Sequence, residues 1–160
     1  MLSIADILNE VGLDATERIK QNLVDADRIA TSGTYQSVQY KVSGDLYAIS
    51  LTIEANKNIV YLEKGRKPTQ KGNRGSTVLF DEIVKWIDAK GIVADIDKER
   101  LAYAITNKIN KEGYEGTKGL YTDVLNDDLV KSISDKIGRT VINQLANGFN
   151  SNTETSTGNI

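Results

Sequence analysis

The 160-residue sequence contains neither cysteine nor histidine. Without cysteine, the chain forms no disulfide and has no thiolate nucleophile. Without histidine, it lacks the usual general base at neutral pH and the commonest metal ligand. These absences exclude Ser-His-Asp and Cys-His catalytic sites and zinc sites built on either residue. We therefore expect no enzymatic activity, no cofactor and no metal.

Long apolar runs are missing as well. No stretch approaches the roughly 18 consecutive apolar residues that a membrane span requires. The first twelve residues include Asp6 and Glu10 but no basic residue, which is unlike a secretory signal. We expect no membrane association, and a protein that is made and kept in the cytoplasm unless a larger assembly carries it out.

The residues that are present describe an ordinary globular chain. It is 39% hydrophobic and 26% charged, and its length suffices for a buried core. The end, FNSNTETSTGNI, is polar and poor in apolar residues. We predict a single domain over residues 1–147 and a disordered polar tail over residues 148–160.

A first helix is predicted over residues 3–26, because apolar residues recur there in steps of three and four. The predicted stripe is Ile4, Ile7, Leu8, Val11, Ala15, Ile19 and Leu23. Ser3 and Asp6 have the spacing of an N-terminal cap. Gly12 weakens the helix interior by about 1 kcal/mol relative to alanine. The sequence therefore leaves open a bend or a break in the helix at this residue.

A β-hairpin is predicted over about residues 35–55, where the apolar period changes to two. ATSGT (30–34) is predicted to be a turn or loop before it, and SGD (43–45) is predicted to be the turn between the strands. The alternating apolar residues are Val38, Tyr40 and Val42, followed by Tyr47, Ile49, Leu51 and Ile53.

Further helices are predicted downstream of the hairpin. NIVYLEKG (58–65) fits either a helical turn or a third strand. A helix near 78–90 has Thr77 as a possible cap and ends at Gly91, and one over 98–112 ends at Gly113. The apolar residues predicted to face inward are Leu79, Phe80, Ile83, Val84, Trp86 and Ile87 in the first of these, and Leu101, Ala104, Ile105 and Ile109 in the second.

A long C-terminal helix is predicted over residues 123–146, with its end at Gly148. Its stripe is Leu125, Leu129, Ile133, Ile137, Val141 and Leu145. The predicted class is therefore α+β: a small antiparallel sheet packed with about four α-helices, including this long one.

Positive charge is concentrated on one segment of a chain whose net charge is −2. The basic segment, residues 64–74, contains Lys64, Arg66, Lys67, Lys71 and Arg74. It is either a solvated surface loop or a contact for a phosphate backbone or for an acidic patch on a protein. With one aromatic residue on each flank, Tyr61 and Phe80, it is not expected to read a base sequence.

Three weaker motifs are better explained structurally. GYEGTKG (113–119) departs from the P-loop pattern and is interpreted as a flexible helix connector. ADIDKE (94–99) lacks the glycine of a calcium loop, and Asp97 is predicted to cap the next helix. Asp127 and Asp128 are adjacent and so point about 100° apart on a helix, which is unsuitable for an acid–base pair.

Several stretches resemble the neck or tail-completion proteins of tailed bacteriophages, also described as minor tail or head–tail joining components. SGTYQS (32–37) resembles the family's Thr-Gly-x-Leu-x-x-Ser, with Tyr35 where an aliphatic residue is usual. YLEKGRKP (61–68) is similar to a family stretch in which Tyr, Glu and Gly precede Thr or Arg. WIDAKGI (86–92) and AYAITNKINKEGYEGTKG (102–119) resemble a helix, loop and glycine-rich turn of one branch.

The resemblance covers about residues 4–147, and it implies a structural role. The family's Pro-Phe-Leu element is missing, and YTDVLNDD (121–128) stands in its place. Members form a ring between the portal-side connector and the tail. The resemblance implies a virion protein assembled in the host cytoplasm, in contact with copies of itself, with portal and tail proteins and, through the basic segment, with passing DNA. The alternative is a non-enzymatic interaction module or a sequence-nonspecific DNA-binding protein.

Overall fold

The computed structural model describes residues 3–29, 32–45, 48–69 and 77–154. Within these ranges the chain forms six helices and one two-stranded antiparallel sheet, so the predicted α+β class, the hairpin and the long C-terminal helix are confirmed. Two short helices add to the four that were predicted. The helices are α1 (Ile4–Asp25), α2 (Gly33–Ser37), α3 (Asn58–Lys64), α4 (Thr77–Lys90), α5 (Lys98–Glu112) and α6 (Asp127–Glu154).

Helix α1 is continuous through Gly12, so the alternative of a break at this residue is excluded. A Cβ at Gly12 would overlap the ring of Tyr40 and the Leu51 side chain. The glycine is therefore the place where α1 crosses the hairpin at close range. The predicted cap is present: the Ser3 hydroxyl accepts from the Asp6 N–H, and the Asp6 carboxylate accepts from the Ser3 N–H.

The hairpin consists of β1 (Gln39–Gly44) and β2 (Ile49–Glu54). Tyr40 pairs with Ile53 and Val42 with Leu51, so the predicted alternation lies on one face, which packs against α1. The strands extend to Gly44 and Ile49, so the predicted turn at 43–45 is displaced by about two residues. Tyr47 lies outside the described residues.

Two local predictions before and after the hairpin are settled by the structure. Residues 33–37 form the short helix α2 instead of continuing the predicted turn, and Ser32 enters it with a positive φ of 50°. The ambiguous stretch 58–65 is helix α3, ended by Gly65.

The core lies between α1, the hairpin, α3 and the segment before α6. Its fully buried members are Ala15, Ile19, Leu23, Val38, Ile59, Leu120 and Val124. Helices α4 and α5 pack mainly on each other, and the α4 stripe buries only Ile87 completely. On α5 the buried residues are Ala102 and Thr106, so the predicted inward face is rotated. Asp97 is the N-cap residue of α5, but its side chain makes no capping hydrogen bond.

The C-terminal helix differs from its prediction at both ends. It begins at Asp127 because residues 121–126 form turns, so Leu125 lies outside it. It passes through Gly148 to Glu154, and the predicted end at Gly148 is wrong. Glycine weakens a helix interior but ends a helix readily only in a left-handed conformation, which Gly148 does not adopt. Residues 148–154 of the predicted tail are thus helical, and 155–160 lie outside the described residues.

Candidate functional site

The first half of the basic segment is held against the chain that follows α5. The Arg66 N–H donates to the Tyr114 carbonyl and the Tyr114 N–H donates to the Arg66 carbonyl, both at 2.9 Å, which forms an antiparallel β-bridge. The Thr117 N–H adds a 2.8 Å hydrogen bond to the Leu62 carbonyl. We call this contact between residues 61–69 and 110–119 the junction.

Glycines allow the two strands of the junction to approach closely. Gly65 and Gly113 end α3 and α5, each with a φ of 74°. A Cβ on Gly65 would overlap the Tyr114 carbonyl, and one on Gly113 would overlap the Arg66 carbonyl. Gly116 is equally confined, by the Glu63 carbonyl. The interpretation of 113–119 as a flexible connector is therefore wrong, because its backbone is hydrogen-bonded to the basic segment.

The side chain of Asn110, at the end of α5, fixes the next residues of the basic segment. Its Oδ1 accepts from the Thr69 hydroxyl at 3.1 Å and from the Arg66 guanidinium at 3.4 Å. The Asn110 carbonyl also accepts from the Thr69 N–H at 2.8 Å. Arg66 is thus oriented by a neutral partner, and its charge is not cancelled there.

A buried carboxylate ties the junction to the core. Glu63 is 6% exposed, and its Oε2 accepts from the Tyr121 N–H at 2.7 Å and the Thr122 N–H at 3.3 Å. Buried carboxylates are tolerated where hydrogen bonds replace their hydration. The bonds hold the segment that inserts Leu120 and Val124 into the core.

Two guanidinium groups lie near the half-buried phenol of Tyr114. Burial raises the pKa of Tyr114 above its ordinary value of 10.0, and the nearby charges of Arg66 and Arg28 oppose the increase. Arg28 donates through Nε and Nη2 to the Thr117 hydroxyl at 3.1 and 3.0 Å. The junction therefore brings a basic residue from beyond α1 to the basic segment.

The predicted site residues are only partly within the described chain. Lys64 and Lys67 are exposed and Arg66 is half-buried, whereas Lys71 and Arg74 lie outside the described residues. None of the ion pairs found in the described ranges includes Lys64, Arg66 or Lys67. Their charges are available to a partner.

Sequence reasoning assigned no structural role to Glu63, Asn110 or Arg28. Each acts through a contact with a distant part of the chain, which no local pattern encodes. The repeated glycines at 113, 116 and 119 were the one available signal, since closely spaced glycines accompany close backbone approach.

Among the described residues, no group of three or more acidic side chains is arranged to hold a metal ion. The described helices also include none that is long and apolar enough to cross a bilayer. Comparisons with protein-family models, with curated proteins and with solved structures find no match for this chain.

Proposed function

We propose that this chain is a non-enzymatic structural protein of a tailed bacteriophage virion, a ring-forming neck or tail-completion subunit at the head–tail junction. Its partners are copies of itself and the neighbouring portal, connector and tail proteins, with genomic DNA passing through the ring. Assembly takes place in the host cytoplasm.

The β-bridge between Arg66 and Tyr114 is the observation that carries the proposal. The two stretches on which the resemblance mainly rests, 61–68 and 102–119, lie far apart in the chain but meet in one hydrogen-bonded unit. Their glycines are those that close backbone packing requires. The stretches that carry the resemblance therefore belong to one structural element of this chain, which supports the proposal.

An uncovered apolar face on α6 supports the assembly part of the proposal. Val130, Ile142 and Leu145 are 62%, 65% and 58% exposed. Residues 140–153 of the helix contain no charged side chain at all. Large apolar side chains left exposed along one helix are suited to contact with another protein.

The basic segment supports a role beside DNA or beside an acidic neighbour. The junction fixes the backbone of Arg66, and none of Lys64, Arg66 and Lys67 forms an ion pair within the described chain. Positive charge without base-reading groups is suited to a duplex that must move past the protein. Because the whole chain has a net charge of −2, this role is assigned only to the surface that carries the basic segment.

Particle composition tests the proposal directly. Particles purified from a host that produces the phage should contain the chain at a low, fixed ratio to the major capsid protein. Deletion of its gene should leave separate heads and tails in electron micrographs, and a plasmid copy should restore joined particles. A plasmid copy carrying Lys67→Glu and Lys71→Glu should fail to restore them although the protein folds. Absence of the chain from purified particles would exclude the proposal.

Lys64, Arg66 and Lys67, which have no ion pair among the described residues, also favour a second candidate, a sequence-nonspecific DNA-binding or interaction module that uses the basic segment. This candidate predicts that the isolated protein binds duplexes of unrelated sequence with equal affinity. The logarithm of the binding constant should fall with the logarithm of salt concentration, by about 0.9 for each phosphate neutralised. Lys67→Glu should reduce that slope, whereas Lys41→Glu on the outer face of the hairpin should not.

A further inference from the structure

A groove of about 630 Å³ lies between α1 and the first half of α6. Its floor includes the buried Val11 and Val124 and the half-buried Leu129, and the half-exposed Leu13 forms part of its edge. The groove therefore combines apolar surface with an open side.

The rim of this groove is strongly acidic. Five carboxylates line it, against two basic side chains, Arg18 and Lys136. The carboxylates belong to Glu10, Asp14, Glu17, Asp123 and Asp128. Lys136 is 2.9 Å from Glu10 and Arg18 is 3.9 Å from Asp14. Glu17, Asp123 and Asp128 have no ion pair within the described chain, which leaves three uncompensated negative charges.

The described part of the basic segment is the counterpart of this rim. Lys64, Arg66 and Lys67 supply three positive charges without an ion pair in the described ranges, and Lys64 and Lys67 are exposed. Each surface has an excess of the charge that the other lacks. Complementary surfaces of this kind steer association and select partners.

Within one copy, no ion pair of the described residues joins these two surfaces. The α1 side of the groove ends at Arg18, whereas the junction contacts the chain beyond the end of α1, where Arg28 donates to Thr117. Asp14 and Asp25 are separated by about 16 Å of helix at 1.5 Å per residue. The β-bridge at Arg66 and the Asn110 contacts hold residues 66–69 of the basic segment against residues 110–114.

We infer that the acidic groove between α1 and α6 receives the basic segment around Lys64 and Lys67 from a second copy of this chain. Lys64 and Lys67 meet Asp14 and Glu17 at the rim, where Asp14 exchanges its exposed 3.9 Å pairing with Arg18 for the lysine. The contact joins two different surfaces, so each copy offers a groove to one neighbour and a basic segment to the other. Such a heterologous contact closes into a ring when the rotation between copies permits it. The inference rests on the proposed function and specifies which surfaces join the ring subunits.

Reciprocal charge reversal tests the contact. Lys64→Glu with Lys67→Glu makes the segment acidic, and Asp14→Lys with Glu17→Lys makes the groove basic. Each double variant alone then has like charges on both surfaces, and we expect its self-association to weaken about 100-fold, because like charges in contact cost several kcal/mol. Mixed together, the two variants present opposite charges at both kinds of contact, and association should return.

Sedimentation velocity of the full chain is the measurement, at about 0.1 M and about 1 M salt, where the screening length falls from about 10 Å to about 3 Å. The unaltered chain should associate at low salt and dissociate at high salt. The control, Lys41→Glu with Lys57→Glu, has the same charge change on exposed residues outside both surfaces and should associate normally. Circular dichroism melting of every variant confirms folding.

Three results would overturn the inference: an unaltered chain that stays monomeric at every concentration, a groove variant that associates normally, or a mixture that stays dissociated. Failure here is distinct from failure of the proposed function. If the chain is present in particles but the mixed variants do not associate, only the inferred contact is excluded and the proposed function stands. If the copies associate through this contact but the chain is absent from particles, the proposed function is excluded and the chain is an oligomer with another role.

Discussion

Helices α1 and α6 have the same kind of apolar stripe, but only the stripe of α1 is buried. Leu23 in α1 is completely enclosed, whereas Leu145 in α6 is 58% exposed. No described side chain of α6 is buried, although the stripe spacing is as regular as in α1. Periodicity therefore predicts a helix and its apolar face, but burial depends on whether the same chain supplies a second surface.

The two helices differ in what surrounds them. The hairpin, α3 and the segment with Leu120 and Val124 enclose α1, whereas α6 packs mainly on α1. The ion pair between Glu10 and Lys136 shows which turns of the two helices lie side by side. At 1.5 Å per residue, about 9 Å of α1 precedes Glu10 but about 27 Å of α6 follows Lys136. The end of α6 projects beyond the body that would cover it.

The same substitution in each stripe should give the largest difference. Leu23→Ala should lower the free energy of unfolding by about 3–5 kcal/mol, because it removes packed atoms and leaves a cavity. Leu145→Ala should change it by less than about 0.5 kcal/mol, as exposed substitutions usually do. Urea unfolding of both variants, at a protein concentration low enough to keep the chain monomeric, measures the difference. A large loss for Leu145→Ala in the monomer would mean that the chain covers α6 itself.

Glycine to alanine changes should have opposite signs in the two helices. Gly12→Ala should destabilise the chain by about 1–3 kcal/mol, because the new methyl group meets Tyr40 and Leu51. Gly138→Ala meets nothing within 4 Å and should stabilise α6 by up to about 1 kcal/mol, since alanine is the better helix former. Thermal unfolding of the two variants checks the signs. Stabilisation by Gly12→Ala would show that α1 and the hairpin are not in close contact.

Glu63 should contribute to the free energy of unfolding, because its carboxylate holds the segment just before α6 that completes the core around α1. Glu63→Gln keeps an acceptor oxygen but loses the charge-assisted bonds from Tyr121 and Thr122. We expect a loss of about 1–2 kcal/mol. The control Glu115→Gln, on an exposed residue of the same junction, should stay within about 0.5 kcal/mol. Equal effects in urea unfolding would mean that the buried carboxylate does not anchor the segment.

Local patterns were sufficient to predict the long helices and the hairpin, but not the short helices α2 and α3. The steps of three and four predicted α1 and α6, the period of two predicted the pairing of β1 with β2, and Gly91 and Gly113 were correctly placed after α4 and α5. These features depend on residues close in the chain, whose conformational preferences are expressed in the sequence itself.

The junction and the groove could not be predicted, because they depend on pairs of distant residues. Nothing near Arg66 indicates that its backbone pairs with Tyr114, and nothing near Glu63 indicates Tyr121 as its partner. Gly12 illustrates the limit. Its helix propensity suggested a weak point, whereas its small size accommodates the hairpin. Tertiary packing decided the role of the residue and propensity did not.

The smallest effect is expected at the capped start of α1. The Ser3 backbone N–H and then its hydroxyl hydrogen-bond to the Asp6 carboxylate and hold its pKa below the ordinary value of 3.8. A lowered pKa in the folded state means that the stabilisation is present above the ordinary value and is lost as pH falls through the lower one. Asp6→Asn should therefore lower stability near neutral pH and flatten its pH dependence below about pH 4. Ser3→Ala, which retains the backbone donor, should have part of this effect. Urea unfolding over that pH range measures both variants, and an Asp6→Asn profile that parallels the unaltered chain would mean that the cap does not stabilise α1.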